Sequence, residues 1–176
     1  LLATNGLSLA GSSINLAGSQ TGTTAGNVTI NGQNSSGNFG VWLESAYSIK
    51  STTGNISITG SGTGGVYSYA NLLAGNAATP TSGGSITVNA TATSANYGLE
   101  LTTSSMVAYG PISLTGTSAS EHGIIVRGMG AKVQSASGVT INGSGSWGLT
   151  LYDNATIQSI GGNIDITTSG SLGGLY

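Results

Sequence analysis

Six segments of one pattern recur along the chain: Val28-Thr29-Ile30-Asn31, Ile56-Ser57-Ile58-Thr59, Ile86-Thr87-Val88-Asn89, Ile112-Ser113-Leu114-Thr115, Val139-Thr140-Ile141-Asn142 and Ile164-Asp165-Ile166-Thr167. Their first residues are separated by 28, 30, 26, 27 and 25 positions. Each alternates an apolar residue with a polar one, the period of a strand buried on one face. A segment opened by glycine follows each one: Gly40-Val41-Trp42-Leu43, Gly65-Val66-Tyr67, Gly98-Leu99-Glu100-Leu101, Gly123-Ile124-Ile125-Val126, Gly148-Leu149-Thr150-Leu151 and Gly174-Leu175-Tyr176. Glycine at that bend implies a backbone angle that a Cβ would disfavour. A third apolar position recurs at Ile49, Val107, Val133 and Ile157, with little variation in its spacing from the second. The repeat therefore reads as three short strands, with length variation concentrated between the first and second.

A unit of roughly 27 residues cannot bury its apolar edge alone, whereas stacked copies share a continuous core. The expected fold is all-β, a right-handed parallel β-helix of about six three-strand coils. With coils about 4.8 Å apart, the rod would be roughly 29 Å long. A leucine-rich repeat would need its Leu/Asn signature, and a sandwich would need no steady period. Residues 1–176 are expected to form a single β-helix segment of a longer repeat array, open at both ends. Residues 1–25 read as a degenerate or partial first coil, with Gly6-Leu7-Ser8-Leu9 as its second strand and Ile14-Asn15-Leu16 as its third. Uncapped repeats predict neighbours at the ends, either further coils of a parent chain or end-to-end copies.

Charge is scarce: three Lys and Arg stand against five Asp and Glu, a formal net charge of −2. No basic surface exists to neutralise phosphates, which argues against nucleic acid, and no apolar run approaches the length of a membrane span. There is no cysteine, hence no disulfide framework or thiolate site. Glycosidic hydrolysis needs a carboxylate pair at fixed separation, yet Glu44, Glu100, Glu121, Asp153 and Asp165 are scattered over different coils. His122, the sole histidine, sits beside Glu121 and reads as a solvated corner pair. Neither a phosphate loop, a nucleophile elbow nor a metal-ligand cluster is present. The chain is expected to be a non-enzyme without cofactor or metal.

Stacking converts each outward position into a column. The first strand contributes Thr29, Ser57, Thr87, Ser113, Thr140 and Asp165, with Asn31, Thr59, Asn89, Thr115, Asn142 and Thr167 beside them. Such small polar side chains are expected to hydrogen-bond as ladders along the rod. An alternative is an ice-binding surface of ordered Thr hydroxyls and methyls, although Asn, Ser and Asp interrupt the ranks. The second strand contributes Trp42, Tyr67, Glu100, Ile125 and Thr150, flanked by Glu44, Tyr69, Thr102, Arg127 and Tyr152. Aromatic rings beside polar groups suit stacking on sugars or contact with a protein. The Trp42/Tyr67/Tyr69 face, with Glu44, Glu100, Arg127 and Tyr152, is therefore the candidate binding face. The plainer reading is that the rings cover the sheet or pack against a neighbouring rod. Glu100 and Arg127, one coil apart, are expected to form a surface pair worth under about 1 kcal/mol. Asn27-Val28-Thr29, Asn55-Ile56-Ser57, Asn89-Ala90-Thr91 and Asn154-Ala155-Thr156 match the acceptor triplet for N-glycosylation. Asn31-Gly32 and Asn142-Gly143 are read as corner pairs.

The run Gly54-Asn55-Ile56-Ser57-Ile58-Thr59-Gly60 and its counterpart Gly162-Asn163-Ile164-Asp165-Ile166-Thr167, each with a glycine-led second strand, resemble the β-helical stems of filamentous-haemagglutinin-like bacterial adhesins. Autotransporter passenger domains share the same pattern. The resemblance covers roughly residues 26–176. It implies a stem exported across the outer membrane, by a partner transporter in the two-partner-secreted members, that projects from the bacterial surface in cell adhesion. Host or matrix glycans and proteins are the partners it implies.

Overall fold

The computed structural model describes the backbone of residues 2–3, 7–11, 14–16, 21–23, 25–44, 48–75 and 83–176. It contains strands and turns, and every strand pairing among the described residues is parallel. The fold is the expected parallel β-helix, with about five turns of about 26 residues against the six of roughly 27 read from the repeat. The third strands, from Leu2–Ala3 through Thr21–Thr23, Ser48–Ser51, Asn71–Ala74, Ser105–Ala108 and Lys132–Ser135 to Thr156–Ser159, form a seven-stranded sheet. First and second strands belong together to the other sheet. In four coils they run on as one bent strand, at Val28–Leu43, Ile56–Ser68, Val139–Leu151 and Ile164–Leu175.

The core is three stacked apolar columns. Val28, Ile30, Ile56, Ile58, Ile86, Val88, Ile112, Leu114, Val139 and Ile141 fill the first, and Val41, Leu43, Val66, Leu99, Leu101, Ile124, Val126 and Leu149 the second; all are buried. The third is Ile49, Leu72, Met106, Val133 and Ile157, so the inward residue of one coil is Met106 and not Val107, which is half-buried one place along. Leu72 and Met106 hide in the sequence because their neighbours Leu73 and Val107 are equally apolar.

The amino-terminal coil also differs from the expectation. Leu7–Gly11 pairs in register with Val28–Gly32, Ile14–Leu16 with Val41–Leu43, and Thr21–Gly22 with Ile49–Lys50. These are first, second and third strands. Gly6 misleads as an opening glycine; it lies outside the described residues. The pair Leu7 and Leu9 carries the same alternation as Val28 and Ile30.

The corner between first and second strands is where glycine is required, for a reason other than backbone angle. None of Gly40, Gly65, Gly98, Gly123, Gly148 and Gly174 has positive φ. Instead two backbones meet there with no side chain between them, a recognised use of glycine inside strands. A Cβ on Gly123 would stand 2.6 Å from Ser144 O and 2.8 Å from Gly116 O, and one on Gly40 would stand 2.6 Å from Gly32 O. Gly32, Gly60, Gly116 and Gly143 face Gly40, Gly65, Gly123 and Gly148 across this pinch. Gly32 and Gly143 are therefore strand residues at a close approach, and neither belongs to a turn.

The turn from second to third strand explains the steady spacing. Thr103 and Gly128, after the paired residues Thr102 and Arg127, have φ of 48° and 89°, and Asp153, after Tyr152, has φ of 56°. At the third corner, buried Ser51 donates its hydroxyl to Gly26 O at 2.6 Å and accepts from Gly54 N at 2.9 Å. Ser135 repeats this with Gly110 O and Gly138 N. Internal hydroxyls thus satisfy main-chain groups that the corner takes out of the ladder.

The two glycine roles separate experimentally. Gly123→Ala should lower stability by about 3 kcal/mol, the overpacking cost where only backbone surrounds the new methyl. Thr103→Gly should raise it by about 1 kcal/mol by relieving a left-handed β-branched residue. Denaturant unfolding of both variants against the parent chain checks the pair.

Candidate functional site

The second-strand outward column does not lie open. Its members Trp42, Tyr67, Glu100, Ile125 and Thr150 are in register across adjacent coils, yet all but half-buried Trp42 are buried. They form the floor of a groove that runs along the rod. One rim is Glu44, Tyr69, Thr102, Arg127 and Tyr152, half-buried except for exposed Tyr152. The opposite rim is Phe39, Tyr97, His122 and Trp147, each three residues before its floor residue and immediately before the glycine of the pinch. Fixing that glycine against backbone places the preceding side chain at the groove's edge. The sequence carries this rim as the pairs Phe39-Gly40, Tyr97-Gly98, His122-Gly123 and Trp147-Gly148.

Rings pack along the groove in two groups. Trp42 and Tyr67 lie 4.7 Å apart between centroids, with Phe39 5.0 Å and Tyr69 5.0 Å from Tyr67. The other group runs from Tyr97 to His122 at 5.5 Å, His122 to Trp147 at 6.3 Å with nearly parallel planes, and Trp147 to Tyr176 at 5.3 Å. Tyr152 meets Tyr176 at 5.9 Å. Where the rim residue is glycine, a ring from the neighbouring coil leans over it. A Cβ on Gly64 would meet Phe39 Cδ1 at 2.5 Å, and one on Gly173 would meet Trp147 Cζ3 at 2.6 Å. The expected Trp42/Tyr67/Tyr69 cluster is thus present, and Phe39 closes it.

Between the groups sits an ion pair. Arg127 donates through Nη2 to Glu100 Oε1, and Thr102 donates its hydroxyl to the same oxygen at 3.0 Å. Glu100 is only 2% exposed while the Arg127 side chain is 38% exposed. The expected surface pair is therefore a buried carboxylate under a partly exposed guanidinium, because the rims shield the floor. The guanidinium carbon lies 5.8 Å from the Tyr97 ring centroid, within cation–π range. Burial pushes the Glu100 carboxyl above the usual carboxylate value, with Arg127 and Thr102 opposing.

His122 is a groove wall and not the solvated corner residue expected. Its Nδ1 lies 2.7 Å from Thr150 Oγ1, in hydrogen-bond contact with a buried floor residue. Burial lowers its pKa below the ordinary histidine value, Arg127 adds to that, and Glu121 opposes.

The first-strand columns are in register as expected, from Thr29 through Ser57, Thr87, Ser113 and Thr140 to Asp165, and from Asn31 through Thr59, Asn89, Thr115 and Asn142 to Thr167. Asn31, Thr59, Asn89, Thr140, Asn142, Asp165 and Thr167 are exposed, and Thr29, Ser57, Thr87, Ser113 and Thr115 half-buried. The side-chain ladder is elsewhere. Asn27 Oδ1 accepts from Asn55 N at 2.9 Å, and Asn55 Oδ1 accepts from Ser85 N at 2.8 Å, at the corner that precedes the first strand. The signal was the recurrence of Asn or Ser just before the first-strand residues Val28, Ile56 and Ile86. This employs the amide oxygens of two glycosylation triplets, those of Asn27 and Asn55. An open depression of about 590 Å³ lies at the outside of the pinched corner, lined by Gln33, Asn34, Ser35, Ser61 and Thr93. It carries no ring and no charge.

Comparison with protein-family models, curated proteins and solved structures finds no match.

Two measurements follow from the groove. Arg127→Leu should cost about 2 kcal/mol, below the range for a fully buried pair because the guanidinium is partly solvated, and Glu100→Leu with Arg127→Leu should recover most of it. Urea unfolding of the single and double variants reads this. His122 has a folded pKa below its unfolded value of 6.5, so its contribution is full above that value and is lost as pH falls through the folded pKa. The stability difference between the parent chain and His122→Gln should therefore shrink as pH falls below 6.5.

Proposed function

We propose that this chain is a structural and adhesive rod of an exported bacterial surface or fibre protein, holding a lateral binding face away from the cell. The observation that carries the reading is the in-register stacking of parallel strands through successive coils, with one continuous apolar core. Such a solenoid transmits length and stiffness and repeats its outer columns once per coil. The scarcity of charge and the absence of cysteine suit passage across membranes as an extended chain, followed by coil-by-coil folding outside. The resemblance to haemagglutinin-like stems adds the cell surface as its location.

An antibody raised against the folded chain tests this. Intact, unpermeabilised cells of the source should label, and deletion of the protein should reduce their attachment to host cells or matrix. Labelling that appears only after permeabilisation would contradict the proposal.

A further inference from the structure

We infer that the groove between Tyr97, His122 and Trp147 on one side and Arg127 and Tyr152 on the other binds an uncharged oligosaccharide lying along the rod axis. This gives the adhesive part of the proposed function its ligand class and rests on that reading only for its biological setting.

The ion pair is the first argument. A buried carboxylate with a partly exposed partner adds little to folding, and neighbouring floor positions hold Tyr67 and Ile125 without loss of register. What the pair does is fix the guanidinium over Tyr97. Its Nη2 is used on Glu100 and its Nε lies 3.5 Å from Thr102 Oγ1, while Nη1 has no hydrogen-bond partner among the described residues. His122 is likewise tied through Nδ1, and among the described residues its Nε2 and the Trp147 indole N–H have no hydrogen-bond partner. None of these atoms is a buried unsatisfied group, a description that fits only Ser104 Oγ among the described residues. They are therefore open to solvent. Held donors and acceptors beside half-buried rings are what a sugar needs, its C–H face on a ring and its hydroxyls on fixed polar groups.

Charge selects the class of sugar. Glu100 compensates Arg127, and Glu121 stands next to His122, so the groove has no surplus positive charge for a carboxylate or sulfate. Direction selects the length. His122 and Trp147 occupy one rim on adjacent coils, about 4.8 Å apart, so contacts recur along the axis and favour a chain over a single sugar.

Calorimetric titration of the purified chain with cellohexaose, chitohexaose, mannohexaose and xylohexaose tests this, with heparin and polygalacturonate as charged comparisons. At least one neutral hexamer should bind and shift the tryptophan emission. Trp147→Leu and His122→Ala should each weaken it about tenfold or more, while Thr140→Ala on the other face leaves it unchanged. Circular dichroism and urea unfolding establish that each variant is folded. Four outcomes would overturn the inference: no neutral hexamer binding to the folded parent chain; binding indifferent to both groove variants; binding to the charged polymers alone; or self-association through the groove that Trp147→Leu abolishes. Each leaves the surface location, read by antibody labelling, to stand or fall separately.

Discussion

Two backbones touch at one corner of four coils, at Gly32 and Gly40, Gly60 and Gly65, Gly116 and Gly123, and Gly143 and Gly148, and the outer surface is arranged by that contact. Gly116 against Gly123 and Gly143 against Gly148 leave no volume for a methyl group, so first and second strands converge to a thin edge. Convergence lets one strand bend into the next without leaving the sheet, as at Val139–Leu151. Because the second glycine is clamped, the residue before it is held beside the floor column. Phe39, Tyr97, His122 and Trp147 occupy that place. The groove is thus a by-product of the pinch. In the coil where Ala90 takes the place of Gly60 and Gly116, Gly98 is still held against the backbone of Thr117 and Gly123 in the next coil, and Tyr97 keeps its place at the rim.

The floor shows what the shielding does to polar groups. Glu100, on the outside of the solenoid, is nearly as buried as a core residue, and its carboxyl is held by Arg127 and Thr102. Thr150 is fully buried and meets His122. Two polar contacts on consecutive coils, each tied across the groove, make this stretch chemically unlike the ring cluster of Phe39, Trp42, Tyr67 and Tyr69. In that cluster the four rings pack on one another, whereas in this stretch the rim residues Arg127 and His122 are also tied to floor residues.

Alternation at six positions made the first strand and its inner column legible, because Val, Ile or Leu occupies every inward place and a polar residue every outward one. The third column was half legible. Leu72-Leu73 and Met106-Val107 present two adjacent apolar residues, and only the strand register decides which points inward. The role of glycine was visible, but its cause was not, since a close approach and a positive φ leave the same letter. Outwardness was inferred correctly from parity, whereas exposure depends on neighbours a full coil or more away in sequence, such as Tyr97 beside Arg127. That is why Glu100 was expected at the surface. The hydrogen-bonded ladder was sought among the outward hydroxyls, while the buried serines and the corner asparagines carry it, because unpaired main-chain groups occur at corners and not along paired strands.

The pinch is open to direct observation by nuclear magnetic resonance on the isotope-labelled chain. Short-range nuclear Overhauser contacts should link Gly116 to Gly123 and Gly143 to Gly148, together with in-register contacts between Leu114 and Ile141 on adjacent coils. Strand contacts between coils without any glycine-to-glycine contact would contradict the account, since the corner would then hold a conventional loop and the rim residues would have no fixed place.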